Sequence, residues 1–171
     1  MINVRQATEE DLPQILGIYN EVIANTTAVY YYEPHTLDMR RQWFRERKEQ
    51  GFPVFVADED GVILGMSTIG PFRPHTAYQY TVENTIHVAA HARGKGVGKL
   101  LMPPLIEAAK AMGLHTIVAG IDADNAISIA LHKKFGFEEV ARFKEVGYKF
   151  NRWLDLSFMQ LILPDTNVTQ E

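Results

Sequence analysis

The spacing of apolar residues changes several times along the chain, and each change predicts a new element. Residues 2–7 alternate like a strand. The stretch "TEED" at Thr8 to Asp11 has the form of a variant capping box, and Leu12, Ile15, Leu16, Tyr19 and Ile23 follow at helical spacing. The polar run "ANTTAVYYYEPHT" is loop-like. Thr36 is placed to cap a second helix carrying Leu37, Arg40, Trp43 and Phe44, which "QGFP" stops. "VFVADEDGVILGMSTIG" then reads as a hairpin around Asp60 and Gly61. After a proline-broken connection, residues 78–88 predict a strand with Val82, Ile86 and Val88 on one face and Thr81, Glu83, Thr85 and His87 on the other. A glycine-rich loop, "HARGKGVGKLL", opens an apolar-periodic helix running to about Met112. The strand "HTIVAGI", a helix over 125–135 turned by Gly136, and two final strands complete the chain.

The resulting order, β-α-α-β-β-β-α-β-α-β-β, implies a mixed sheet with helices packed against it. It defines one α/β domain over 1–163, followed by a short polar tail over 164–171 that is expected to fray. One local conflict lies at Pro103 and Pro104, several residues inside the helix that follows the glycine loop. A proline there costs about 3 kcal/mol. The sequence therefore predicts a kink or an early break, or else a helix that begins only near Pro103.

Composition narrows the function classes. With 171 residues and 46% hydrophobic content the chain can bury one sizeable core. A net charge of −4 gives no global basic field for nucleic acid, so no nucleic-acid partner is expected. The absence of cysteine excludes disulfides, thiolate metal sites and a cysteine nucleophile, and fits a reducing cytoplasm. The N-terminal stretch has no signal-peptide pattern and no apolar run approaches the roughly 20 residues that cross a bilayer, so no membrane partner is expected. His87 and His91 stand four apart on a strand and the following turn without a carboxylate motif, and no metal is expected.

The glycine loop carries the first chemical signal. A loop between strand and helix exposes free N–H groups at the positive end of the helix dipole, where an anion is the expected guest. Its spacing fits neither GxxxxGK[ST] nor GxGxxG, which argues against ATP and NAD. It does fit [QR]xxGxG from Arg93 through Gly96 to Gly98, and resembles the pyrophosphate loop of the GNAT acyl-CoA N-acyltransferases. "NAISIALHKKFGF", from Asn125 to Phe137, resembles a second segment of that family in the right order. "ATEEDLPQI", "TTAVYYYEP", "AYQYTVENTIHV", "LHKKFGF" and "GYKFNRWLDLSFMQ" extend the resemblance to the phosphinothricin and methionine sulfoximine N-acetyltransferase branch.

The resemblance implies a GNAT-like domain, with helices on both faces of a central mixed sheet, that uses acetyl-CoA to acetylate the α-amino group of a small amino-acid-like acceptor. It implies Glu83 of "TVE" as general base, and His132 as a proton donor to the departing thiolate, a position where a hydrogen-bonded structural histidine is the other reading. Acetyl transfer needs both roles. Backbone at Ile86, His87 and Val88 would hold the thioester and pantetheine. Arg93, Gly94, Lys95, Gly96, Val97, Gly98 and Lys99 would surround the pyrophosphate, and Asn125 would orient pantetheine, a role compatible with a simple helix N-cap. Arg73, His75, Tyr78 and Lys149 would line the acceptor pocket, with Arg73 as main anion contact. The branch also implies a homodimer with the pocket near its interface. The tyrosines Tyr30 to Tyr32 read equally as packing or as pocket wall, whereas "RRQWFRERK", from Arg40 to Lys48, reads as the solvated face of an amphipathic helix. Two other readings stay open: an acetyltransferase for a peptide terminus or polyamine, and a non-catalytic acyl-CoA sensor, which would need the loop but no Glu83.

Overall fold

The structure is a computed structural model that describes residues 1–164; of the expected tail, residues 165–171 lie outside the described residues. The elements run β1 (Asn3–Gln6), α1 (Leu12–Asn25), α2 (Leu37–Glu49), β2 (Val54–Glu59), β3 (Val62–Pro71), β4 (Thr81–Val88), α3 (Val97–Ala111), β5 (Thr116–Asp122), α4 (Ala126–Lys134), β6 (Glu138–Lys149) and β7 (Arg152–Ile162). This is the order implied by the periodicity. Local chemistry explains the boundaries. The Thr8 N–H donates to Asp11 Oδ2 at 2.8 Å, closing the capping box ahead of α1. Thr36 Oγ1 accepts from the Met39 N–H at 3.2 Å and starts α2. Asp60 and Gly61 both take positive φ, as a two-residue hairpin turn requires.

Two boundaries differ from expectation. The strand expected from residue 78 begins at Thr81, because Thr76–Tyr78 form a 3-10 turn. More tellingly, α3 starts at Val97 and continues unbroken through Pro103 and Pro104. The two prolines remove amides that would pair with the Lys99 and Leu100 carbonyls, at about 3 kcal/mol each. Against that, α3 buries Val97, Leu101, Met102, Leu105 and Ile106, each worth about 1.5–3 kcal/mol. Tertiary burial therefore carries the helix through the prolines.

The seven strands form one mixed sheet in the order β1-β2-β3-β4-β5-β7-β6. All neighbours are antiparallel except β4 and β5, which run parallel. Helices cover both faces, as two glycines of β3 demonstrate. A Cβ on Gly65 would meet Val97 and Leu101 of α3, and one on Gly70 would meet Arg47 of α2. The five-residue separation along one strand puts those contacts on opposite faces. The core falls into two clusters: α1, α2 and the start of α3 around β2 and β3, and the rest of α3 against β4, β5 and β7. No described helix is long and apolar enough to cross a membrane.

The one parallel pairing is short. Only Thr81, Val82 and Glu83 pair with Thr116, Ile117 and Val118. Beyond them β4 continues to Val88 and β5 to Asp122 without pairing to each other, so the sheet splits into a wedge.

Candidate active site

The wedge opens into a cavity of about 540 Å³. Residues 83–87 of β4 and 119–122 of β5 form two of its walls, the α1–α2 segment a third, and the start of α4 a fourth. An unpaired strand edge presents backbone donors and acceptors to which an extended ligand arm can pair like an added strand. Of the three residues expected to supply that backbone, Ile86 and His87 line the cavity. Val88 lies outside the wall, and its carbonyl accepts from Arg93 Nε at 3.3 Å. The His87 side chain is buried edge-on against Tyr19. Burial first, then the charges of Arg40 and Arg93, push its pKa down to about 4.

Glu83 stands where the wedge begins. Its carboxylate leans two residues along β5, so that a Cβ on Gly120 would lie 3.1 Å from Glu83 Oε1. Glycine at 120 thus provides the space the carboxylate occupies. Burial raises the Glu83 pKa, opposed by the charge of Arg73 and by a hydrogen bond from the Gly120 backbone. The net upward direction is the one a proton acceptor near neutral pH needs.

His132 is nearby but differently employed. A carbonyl can only accept, so the 2.8 Å contact between His132 Nδ1 and Ser128 O places the ring proton on Nδ1. Nε2 then accepts from Asn84 Nδ2 at 3.0 Å. Burial lowers the His132 pKa, only partly offset by the Ser128 bond, so the imidazole is neutral and carries no proton on Nε2. Of the two readings of His132, these partners favour the structural one: the ring anchors Asn84, and both line the cavity.

At the glycine loop, Gly94 and Gly96 adopt φ of +78° and +83°, with Gly96 as the left-handed N-cap of α3. The N–H groups of Gly96, Val97 and Gly98 make no backbone hydrogen bond among the described residues. Three unpaired donors at the start of a helix suit an anion. Gly98 serves packing as well, since its Cβ would come 3.0 Å from Leu131 of α4. Arg93 is placed otherwise than expected: its guanidinium pairs with Glu21 and so braces the loop to α1. Lys95 and Lys99 are exposed beside the loop. Asn125 both lines the cavity and caps α4, its Oδ1 accepting from the Ser128 N–H at 3.1 Å.

The expected acceptor residues are not brought together. Arg73, His75 and Tyr78 lie exposed on the β3–β4 connection outside the cavity wall. Tyr78 meets the rings of Phe72 and His75, and only Arg73 acts on Glu83, through its charge. Lys149 is a clear correction. Its Nζ donates to the carbonyls of Ile23, Thr26 and Val29 at 2.6, 2.8 and 2.8 Å, so it ties the end of α1 to β6 and does not face the cavity. Of the three tyrosines, Tyr31 lines the cavity, Tyr30 packs over Gly147, and Tyr32 Oη donates to the Tyr148 carbonyl at 2.6 Å.

Sequence reasoning missed Arg40 and Arg47. The helix face read as solvated turns both of them toward the cavity, and Arg40 is only 4% exposed. The signal was present in their spacing. With Trp43 they stand at i, i+3 and i+7, one stripe of a helix.

A mixed sheet split between parallel strands, with a free helix N-terminus and a half-buried carboxylate at the split, defines an acyl-transfer fold that binds a phosphate-bearing donor. Residues 4–158 match the acetyltransferase (GNAT) domain family, and the chain belongs to it. It is 47% identical over 165 residues to the L-methionine sulfoximine/L-methionine sulfone acetyltransferase of Pseudomonas aeruginosa, covering 96% of each chain. Among solved structures it is similar to an N-acetyltransferase of Staphylococcus aureus Mu50 (TM-score 0.93, 51% identity, 95% of this chain and 98% of that one). It is also similar to a phosphinothricin acetyltransferase of Sinorhizobium meliloti in complex with acetyl-CoA (TM-score 0.94, 36% identity, 99% and 92%). The protein is an N-acetyltransferase whose acyl donor is acetyl-CoA.

Proposed function

We propose that the protein acetylates the α-amino group of a small amino-acid-like acceptor of the methionine sulfoximine or phosphinothricin kind. The observation that carries this reading is Glu83, a carboxyl group of raised pKa at the apex of the wedge. A sensor module needs the anion site but has no use for a base there.

Acetyl-CoA supplies an activated acyl thioester, and the residues present suit it. The free N–H groups at Gly96, Val97 and Gly98, with Lys95 and Lys99 alongside, are donors for its pyrophosphate. The open edge of β4 at Ile86 and His87 offers backbone to the pantetheine arm and an N–H to polarise the thioester oxygen. Asn125 orients the arm from the opposite wall. Glu83 takes a proton from the acceptor ammonium, directly or through one water, and so frees the lone pair that attacks. His132 keeps Asn84 in place, and solvent returns the proton to the departing thiolate. We place the protein in the cytoplasm, where a chain without cysteine suits reducing conditions. We assign it as a homodimer on the strength of the apolar surface of β6 and β7.

Thiol release from acetyl-CoA, recorded against a panel of amines, tests the reading. Methionine sulfoximine, methionine sulfone or phosphinothricin should give the largest kcat/KM. A larger value for a polyamine or a peptide amino terminus would replace the acceptor class, and no release with any amine would point to a sensor.

A further inference from the structure

Two guanidinium groups of α2 reach the cavity, and neither forms an ion pair with a carboxylate among the described residues. Arg40 Nη2 donates to His35 Nδ1 at 3.0 Å, and its Cζ lies 3.9 Å from the Tyr19 ring centroid and 4.6 Å from that of Trp43. Arg47 Nη1 donates to Gln50 Oε1 at 3.4 Å. Glu46 acts on Arg47 through its charge. The Nε atoms of Arg40 and Arg47 are buried without a partner, and among the described residues they are the only two such side-chain atoms. Leaving buried guanidinium nitrogens of two neighbouring cations without a partner is unfavourable, and such groups are retained where an anion completes them.

The position of Arg47 identifies the anion. A Cβ on Gly70 would stand 2.5 Å from Arg47 Nη2 and 2.6 Å from its Cζ, so the guanidinium fills the place of the side chain that glycine lacks. Gly70 is the cross-strand partner of Glu83. Directly opposed residues project to the same face with Cβ atoms about 4.5–5.5 Å apart. Arg47 therefore reaches the same face of the sheet as Glu83, one strand away. In an α-amino acid, two bonds spanning roughly 2.5 Å separate the amino nitrogen from the carboxyl carbon. An amine that meets Glu83 from the cavity can turn its own carboxylate toward β3, the strand over which Arg47 lies.

We propose that Arg47, backed by Arg40, binds the α-carboxylate of the acceptor while Glu83 accepts the proton of its α-ammonium, which restricts good substrates to α-amino acids with a free carboxylate. This rests on the acetyl-transfer reading above, and it moves the main anion contact from exposed Arg73 to α2.

Calorimetry on the full chain saturated with CoA separates the two, using L-methionine sulfone and its carboxylate-free analogue, 3-(methylsulfonyl)propan-1-amine. Arg47→Met should weaken the amino acid about 30-fold, the loss of charge-assisted hydrogen bonds, and the amine less than about threefold. Gly70→Ala keeps the charge but displaces the guanidinium, a flexible end that can yield, and should show the same selectivity at smaller size. It also serves if Arg47→Met does not fold. Arg73→Met should change both ligands less than about threefold. Equal losses on the two ligands in both α2-side variants overturn the proposal, as does a carboxylate-selective loss in Arg73→Met alone. Selective binding without thiol release from acetyl-CoA supports the anion site while refuting the acetyl-transfer reading.

Discussion

Glu83 sits between the backbone of Gly120 and the charge of Arg73, yet burial outweighs both and raises its pKa. Two consequences follow at this one residue, with opposite uses of the same shift. For catalysis, kcat/KM should climb with pH along a limb placed above the ordinary glutamate value of about 4.3. Glu83→Gln should remove that limb and depress kcat by roughly 10²-fold or more, partly relieved at high pH where free amine is abundant. Near-normal turnover in the variant at neutral pH would refute the base assignment. For stability, the folded state holds this proton more tightly than the unfolded chain. Stability is therefore lost as pH rises through the interval between the ordinary and the raised value, and it stays lost above. Glu83→Gln should accordingly melt higher than the parent at neutral pH, which differential scanning calorimetry reads directly. His132 gives the contrasting case. With its proton on Nδ1 and Asn84 on Nε2, His132→Phe strands a buried amide donor at a cost of about 1–3 kcal/mol. A lower melting temperature with at most a roughly tenfold loss in kcat is expected, because water can protonate a thiolate. A far larger kcat loss with unchanged stability would restore the proton-donor role.

At the scale of elements, α3 couples packing to ligand binding through two glycines only two residues apart. Gly96 holds the left-handed cap with open space around its absent Cβ, whereas Gly98 lets α4 approach. Gly96→Ala should strain the backbone by about 1–2 kcal/mol without a clash and shift the N–H groups off the pyrophosphate. The expected result is about tenfold weaker use of acetyl-CoA but unchanged use of acetylpantetheine, which lacks the pyrophosphate. Equal losses on both donors would mean that the loop only connects β4 to α3. The order of these elements was legible in the sequence because period, caps and turn residues are local signals. The loop was legible as well: the spacing of Gly94, Gly96 and Gly98 ahead of an apolar helix pointed to exposed N–H groups, and those of Gly96, Val97 and Gly98 have no backbone partner among the described residues. The helix neither breaks at Pro103 and Pro104 nor begins there, because their cost is local while the burial that offsets it is not. Arg40 and Arg47 were misread for a related reason. On one helix a charged residue defaults to the solvent side, and only the wedge between β4 and β5 supplies an inward-facing cavity for it to enter. That wedge depends on where a parallel pairing stops, which no local pattern encodes. Lys149 shows the converse: its three carbonyl partners come from the end of α1 and the loop after it, more than a hundred residues earlier in the chain.

Across the whole molecule, the exposed apolar side chains concentrate where the sheet ends. β6 is an edge strand, and the β6–β7 hairpin exposes Val140, Phe143, Val146, Tyr148 and Trp153, the last at 61%. Tyr148 and Trp153 face each other across the hairpin with ring centroids 5.0 Å apart. The register sets Tyr148 and Trp153 on one face of the hairpin and Phe143, opposite Leu156, on the other, so the Tyr148–Trp153 pair is the apolar patch through which we propose that two chains associate. The patch also connects to the cavity. Tyr32 bonds the Tyr148 carbonyl, and Tyr31, its neighbour in the chain, forms part of the cavity wall. Association through β6 and β7 would thus brace the loop that closes the acceptor side. Light scattering at micromolar concentration should give twice the 19.4 kDa of one chain. Trp153→Lys removes an aromatic anchor, and a central anchor is worth about 2 kcal/mol or more, so the variant should weaken the dimer roughly 30-fold or more. Since the loop, and not the glycine-rich helix start, depends on that contact, dissociation should raise KM for the acceptor more than for acetyl-CoA. A parent protein that is monomeric at micromolar concentration would remove the dimer. A dimer whose loss by Trp153→Lys leaves both KM values unchanged would separate the interface from the site.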